Sequence, residues 1–241
     1  MIIAVINNSR KVSNADAALM TQACSTQMSS HIAPAWGRLA VPVIFYPDPK
    51  RVPKQATVIS IFDSDSDPDI LGYHSENKGL PFARVFVNPI LDNGGVILYD
   101  PQKPLSVSSV LSHEVAELFC DPFVNTWCDG PRLPQGAEYA LEVCDPVESD
   151  SYVVKVGQQS VWVSNFVYPA WFDAQGAQQR QQFDFLRKVN GPFRVSAGGY
   201  LILRSGSGAE NLVFGEKYPQ WKTETKKHAA ARTKRRQSPK A

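Results

Sequence analysis

The hydrophobic positions at the start of the chain predict a strand followed by a helix. Residues 2–7, "IIAVIN", are an apolar and largely β-branched run that is typical of a buried strand. Ser13 or Asn14 can then cap a helix, and Pro34 and Gly37 end it. The apolar positions of this helix, three or four residues apart, are Ala17, Met20, Cys24 and Met28.

Later segments extend the order to strand, helix, three strands and helix. Residues 38–46, 56–62 and 82–89 are apolar runs that predict strands, and the polar stretch 63–81 predicts a loop. A second amphipathic helix follows, and beyond it runs such as "YVVKV" and "SVWVSNFV" predict more strands. The sequence therefore predicts an α+β fold, with a mixed β-sheet first and a smaller β-rich part after it.

Composition places the chain among globular proteins. Its 241 residues are 43% hydrophobic and 20% charged, which is enough to bury a core. No apolar run reaches the roughly 18 residues of a membrane span, and the N-terminus lacks the basic region of a signal peptide. We therefore expect a cytoplasmic protein without a membrane partner, or a virion-associated one if the chain is of phage origin.

The net charge of +2 hides a basic C-terminal segment. Residues 217–241 contain nine Lys and Arg against one acid, Glu224, so the rest of the chain is acidic overall. This segment has too few apolar residues to form a core, and it predicts a disordered tail that can contact nucleic acid or another polyanion. The predicted organisation is a first subdomain over 1–130, a second over 131–216 that completes the site, and this tail.

The candidate chemistry lies in "SHEVAELFCDPF", residues 112–123. His113 and Glu117 are one helical turn apart and within roughly 40° on one face, and Asp121 follows about 80° from His113. An imidazole and two carboxylates on one face can bind a single divalent cation. Glu114 is offset by about 100°, where it can take a proton from a water that the cation holds. The helix therefore predicts a metal site in which Glu114 is the general base.

A further ligand is expected from the acidic segment "EYALEVCDPVE", residues 138–148. Glu142 is the predicted ligand, and Asp145 is predicted to orient the site from behind the ligands. His74, in the polar stretch, can line the substrate site. The expected cofactor is a divalent metal, with zinc first, although one imidazole among carboxylates also admits Mn²⁺, Ca²⁺ or Fe²⁺.

A solvated helix face is the competing interpretation, because His-Glu-x-x-Glu also occurs by chance on amphipathic helices. The neighbouring residues argue instead for a buried helix, and buried carboxylates need a cationic partner. These apolar neighbours are Val110, Leu111, Val115, Leu118 and Phe119.

Two family resemblances follow from these residues. The predicted element order, with "HEVAE" on the last helix, resembles the zincin metallopeptidases of the metzincin type, except that Glu117 stands where the second histidine is found. A downstream ligand such as Glu142 is similar to the gluzincin arrangement. The resemblance implies that "PFARVFVNP", residues 81–89, is the edge strand that aligns an extended peptide. The motifs "SHEVAE", "EVCDP" and "VSNFV", within residues 31–172, also resemble a bacterial and phage family of metal-binding proteins without an established activity.

Three functions are therefore expected, in this order. The first is a zincin-like metal-dependent hydrolase, a peptidase acting on peptides or proteins. The second is a metal-stabilised structural or binding protein without catalysis, such as a virion component. The third is a nucleic-acid-associated protein that acts through its basic tail.

Overall fold

A computed structural model of the chain describes residues 1–65, 70–130, 138–175, 181–217 and 219. The strands in this part of the chain are β1 (Ile3–Asn7), β2 (Val43–Phe45), β3 (Thr57–Phe62), β4 (Gly72–Asn77), β5 (Leu80–Phe86), β6 (Trp127–Cys128), β7 (Glu138–Ala140), β8 (Ser151–Val156), β9 (Gln159–Ser164), β10 (Tyr200–Arg204) and β11 (Glu210–Phe214). The helices are α1 (Asn14–Gln27), α2 (Ala33–Ala35), α3 (Val87–Asp92) and α4 (Val107–Cys120), with a π-helical turn at Met28–Ile32. The predicted α+β fold is confirmed.

The first helix forms where the apolar spacing predicts it. Ser13 is the N-cap, and its side chain accepts a hydrogen bond from the backbone N–H of Asp16. This satisfies one of the amide groups that have no partner inside the first turn. The predicted apolar stripe is confirmed, since Ala17, Met20, Cys24 and Met28 are all fully buried.

A five-stranded mixed sheet forms the centre of the first part of the chain. Its order is β2-β1-β3-β5-β4, in which β4 alone runs antiparallel to its neighbour. A four-stranded sheet, β11-β10-β7-β6, and a hairpin, β8-β9, follow. The expectation that residues 81–89 form the edge strand is wrong, because β5 lies inside the sheet and β4 is its edge.

The edge strand β4 comes from the stretch that the sequence predicted as a loop. It pairs with β5 through a tight turn in which Lys78 and Gly79 have φ values of 51° and 78°. Two positive φ values in a two-residue turn match the twist of the flanking strands, so the turn favours a hairpin. The loop prediction was wrong because this strand is held by its ladder to β5, while its own side chains are mostly polar.

Helix α4 is almost entirely buried. The Ser106 side chain caps it by accepting from the backbone N–H of Ser109, whose hydroxyl accepts from the N–H of Ser106 in return. Every residue of the helix except Val110 is buried. The helix packs against β4, β5 and β9. The prediction of a buried helix is confirmed, and a solvated face is excluded.

One hydrophobic cluster joins both predicted subdomains, since it contains Ile3 and Leu111 as well as Val163 and Trp171. A shared core does not locate a boundary within the chain, so the division into subdomains at residue 130 stays a prediction. Of the basic segment 217–241, the structure describes Lys217 and Pro219, and the predicted disordered tail otherwise lies outside the described residues. Among the described helices, none is long and apolar enough to cross a bilayer.

Candidate metal centre

Three separate segments bring histidine and carboxylate side chains together. Strand β4 supplies His74. Helix α4 supplies the adjacent His113 and Glu114, and Glu117 one turn later. The third segment is the turn that precedes β8, where Asp145 begins a short 3-10 helix. The side chains are His74, His113, Glu114, Glu117, Glu142 and Asp145, and all are buried, with His113 the most exposed at 8%.

The imidazole of His113 lies between two carboxylates. Its Nε2 atom is 3.1 Å from Oε1 of Glu117 and 3.3 Å from Oδ1 of Asp145. The backbone N–H of Cys144 also donates to Oε1 of Glu117, at 3.4 Å. Glu117, Glu142 and Asp145 each place a carboxylate oxygen within 4.8 Å of the other two. The chain after β7 therefore closes over the predicted helix face.

The imidazole of His74 enters the same cluster from the opposite side. Its Nδ1 atom is 3.2 Å from Oε2 of Glu117 and 3.6 Å from Oε2 of Glu114, and its Nε2 atom is 3.7 Å from Oε2 of Glu142. The side chain is wholly buried. His74 thus lies within the carboxylate cluster and is not among the described residues that line the neighbouring cavity, and its role towards a substrate stays a prediction.

The electrostatics of the cluster are dominated by its carboxylates. Burial lowers the pKa of His74, but Glu142, Glu114 and Glu117 outweigh burial and raise it to about 10. Burial likewise lowers the pKa of His113, but Glu117 and Asp145 raise it well above its ordinary value. Burial raises the pKa of Glu117, yet the two imidazoles hold it well below its usual range. The cluster thus attracts positive charge strongly.

The contacts also show which atoms need a further partner. Among the described residues, neither ring nitrogen of His74 has a hydrogen-bond partner, and the same holds for Oε2 of Glu114. Buried polar atoms without a partner cost free energy, and a cation removes this cost. Ligand atoms around a cation with bonds of about 2.1 Å lie about 3.0 to 3.4 Å from one another, similar to the separations found here. The cluster therefore could hold a metal ion.

Asp121 is not part of this cluster. The residue caps the C-terminus of α4, with φ −135° and ψ 72°, so the chain has already left the helical path. Its carboxylate accepts hydrogen bonds from the backbone N–H groups of Asn125 and Thr126 and from the Thr126 hydroxyl. Asp121 organises the turn after the helix, and it belongs to none of the metal-binding groups that the described residues form.

A cavity of about 250 Å³ lies against one side of the cluster. His113 and Glu114 both line it, together with Gly72 of the edge strand. Oε1 of Glu114 lies so close to Gly72 that a Cβ atom added to this glycine would be 2.9 Å from it. The remaining walls include Ser109, Glu148 and Ser164. Glu114 is therefore a carboxylate that borders both the cluster and a space large enough for a small chemical group.

Two members of the site had only weak signals in the sequence. His74 was placed in a loop, although "NKG" before an apolar run is a hairpin signal that would have put it on a strand. Cys144 is a buried free thiol. Its sulfur also lies within 4.8 Å of ligand atoms of His113 and Glu117. Burial, and then Glu117, raise the pKa of this thiol, which keeps it protonated.

Comparison of the chain with protein-family models, with curated protein sequences and with solved structures gives no match.

Proposed function

We propose that this protein is a metal-dependent hydrolase in which Glu114 is the general base. The observation that carries the proposal is the position of His113 between Glu117 and Asp145, with the adjacent Glu114 bordering a cavity. The resemblance of "HEVAE" to the zincin motif points to peptides or proteins as the substrate class. Neither the cavity nor the cluster by itself selects that class.

The proposed ligands differ in part from those that the sequence suggested. We assign His113, Glu117 and Asp145 as ligands, because Nε2 of His113 lies close to a carboxylate oxygen of each of the other two. Glu142 is added because its carboxylate converges with those of Glu117 and Asp145. Zinc is the proposed metal, since the cluster contains imidazole nitrogens as well as carboxylates. Mn²⁺ and Fe²⁺ accept the same donors, whereas Ca²⁺ prefers oxygen ligands alone.

The chemistry of hydrolysis then divides between the cation and the protein. A bound divalent cation lowers the pKa of a coordinated water and polarises the bond to be cleaved. Glu114 accepts the proton from the attacking water, and it can return that proton to the leaving group. Glu117 and Asp145 would bind the cation together with Nε2 of His113, while the buried apolar face of α4 keeps bulk water from the cluster.

A metal-stabilised protein without catalysis is the second candidate. The burial of the cluster favours it, since Glu114 is only 3% and Glu117 only 2% exposed. A cation in so enclosed a site can act as a structural cross-link between β4, α4 and the segment 142–145, which stabilises the fold by binding only to its native form.

The two candidates are separated by comparing turnover with metal binding in one variant. Zinc-loaded protein and Glu114→Gln should be incubated with a peptide library, and cleavage followed by mass spectrometry. We expect the variant to keep a cation at His113 and Glu117 but to lose cleavage by a factor of about 10² or more. Glu138→Gln is the matched control, because Glu138 pairs with Arg204 outside the cluster.

Each result has a clear meaning. Cleavage that Glu114→Gln abolishes and Glu138→Gln retains supports the hydrolase. Metal-dependent stability without cleavage of any peptide supports the structural candidate. Absence of bound cation in the wild-type protein would contradict both.

A further inference from the structure

The carboxylate of Glu117 faces two imidazoles with two different oxygens. Oε1 is 3.1 Å from Nε2 of His113, and Oε2 is 3.2 Å from Nδ1 of His74. The two histidines come from different elements, α4 and β4. The carboxylate of Glu117 thus lies between two imidazole nitrogens. Binding of a single cation by Glu117 would need only one of these contacts.

Each side of Glu117 has its own additional oxygen donor. On the His113 side, Oδ1 of Asp145 is 3.3 Å from the ring nitrogen. On the His74 side, Oε2 of Glu114 is 3.6 Å from Nδ1. His74, Glu114 and Glu117 form one group of converging ligand atoms, while Glu117, Glu142 and Asp145 form another. A third group, His113, Glu117 and Cys144, also contains Glu117, so this residue is common to a His74 side and a His113 side of the cluster.

We propose that the centre holds two divalent cations bridged by the carboxylate of Glu117. The first cation lies on the His113 side with Asp145, as in the proposed function. The second lies on the His74 side with Glu114. Two cations that share one carboxylate are typically about 3.5 to 4 Å apart.

The His74 side chain is the independent observation that points to a second ligand. It is fully buried, and neither of its ring nitrogens has a hydrogen-bond partner among the described residues. The contact of 3.2 Å from Nδ1 to Oε2 of Glu117 does not have hydrogen-bond geometry, and the contacts of 3.6 and 3.7 Å to Glu114 and Glu142 are longer than a hydrogen bond. A cation at Nδ1 satisfies that nitrogen, and the other ring nitrogen then faces Glu142, as ligand histidines commonly face a carboxylate.

The charge of the cluster can be balanced by two divalent cations. Four buried carboxylates, from Glu114, Glu117, Glu142 and Asp145, carry a charge of −4 when ionised. One divalent cation on the His113 side offsets half of this charge, and the remainder has to be offset by protonation of His74 or by a second cation. Two divalent cations neutralise the whole charge.

Glu114 can take part both in the His74 side of the cluster and in the proposed hydrolysis. Its Oε2 atom faces His74, whereas Oε1 lies beside Gly72 at the cavity wall. Oε2 can thus contact a cation, while Oε1 remains at the cavity, where it can accept a proton from a water. The two-cation centre does not itself depend on hydrolysis.

Metal stoichiometry tests the proposal directly. The full chain should be stripped with a chelator and dialysed against Zn²⁺ alone at saturating concentration, and bound metal measured by mass spectrometry. We expect two equivalents for the wild type, and one each for His74→Gln and Asp145→Asn. Glu117→Gln should lose at least one equivalent. His31→Gln and Glu138→Gln are matched controls that should keep two, because His31 contacts Tyr152 and Glu138 contacts Arg204.

A second measurement does not rely on any variant. Protein loaded with Mn²⁺ alone should show the electron paramagnetic resonance of a spin-coupled pair, which isolated ions lack. A wild-type stoichiometry of one, a signal from uncoupled Mn²⁺, or two equivalents retained in His74→Gln would each overturn the proposal. Two bound cations without peptide cleavage would leave it standing and contradict the hydrolase, whereas one cation with Glu114-dependent cleavage would do the reverse.

Discussion

The carboxylate of Asp145 lies 3.3 Å from Nε2 of His113. Two ligand atoms of one cation are typically about this far from each other. The two residues belong to different segments, a short 3-10 helix and α4. Asp145 was predicted to act from behind the ligands. Its position instead makes the carboxylate a candidate ligand, since its distance to Nε2 of His113 is similar to the 3.1 Å of Glu117.

Asp145→Asn is therefore expected to weaken zinc binding strongly. Loss of the charge removes an anionic ligand and leaves the amide facing His113, so affinity should fall by at least about 10-fold to 100-fold. Competition with a chromophoric chelator measures the affinity. Asp173→Asn is the control, because Asp173 is exposed and accepts a local hydrogen bond from the backbone N–H of Gln175. Equal affinity for zinc in the Asp145 variant and the wild type would contradict this ligand assignment.

Asp121→Ala should have the opposite profile. The substitution removes the acceptor of three part-buried hydrogen bonds from Asn125 and Thr126, whose exposed donors can bind water instead, so it should cost about 0.5 to 1.5 kcal/mol of unfolding free energy. Zinc affinity of the folded protein should stay near the wild-type value, since Asp121 is outside the cluster. Urea unfolding and the same chelator competition measure the two quantities. A large loss of zinc affinity at unchanged stability would restore Asp121 as a ligand.

Gly72→Ala is expected to reduce hydrolysis while leaving cation binding on the His113 side intact. The new methyl group would lie 2.9 Å from Oε1 of Glu114 and from a methyl of Val110, and 3.0 Å from the backbone oxygen of Arg84. Glu114 must move, and displacement of a reacting group by about 1 Å can cost about 10²-fold in rate. Gly191→Ala, whose nearest atom would be 3.7 Å away, is the control for peptide cleavage. Full activity in Gly72→Ala would exclude Glu114 as the base.

The metal-free protein is expected to lose stability as the pH rises above neutrality. The folded-state pKa of His74 is raised from 6.5 to about 10. Its contribution is therefore complete below an unfolded-state pKa of about 6.5 and is lost as the pH rises to about 10. The folded-state pKa of Glu117 is lowered from 4.5, so its contribution is present above that value and is lost in acid.

Denaturant unfolding of chelator-treated protein across pH 5 to 10 measures this dependence. We expect the decline above pH 6.5 to be reduced in His74→Gln. It should also be smaller with zinc bound, because an imidazole that ligates a metal is already neutral. Stability of the metal-free wild type that increases towards pH 10 would show that the imidazoles are not held in the charged form.

The sequence predicted the buried helix and the approach of the acidic segment, but not the geometry around them. The spacing of His113 and Glu117 and the acidic segment with Glu142 both follow from local pattern, and the structure brings them together. Asp121 was misplaced because ideal helical angles were extended past the residue where the chain leaves the helix. His74 was misplaced because a polar edge strand owes its conformation to pairing with β5, which no local alternation of apolar residues reports.

The centre is assembled from residues that are far apart along the chain, and this order matters during synthesis. A ribosome releases β4 and α4 before Glu142 and Asp145, because chains emerge from the N-terminus. Until the segment 142–145 is made, two of the four carboxylates of the cluster, those of Glu142 and Asp145, are missing. Firm capture of a cation thus coincides with the docking of residues 142–145. A cation bound there would tie the start of the β-rich part to the sheet that was made before it.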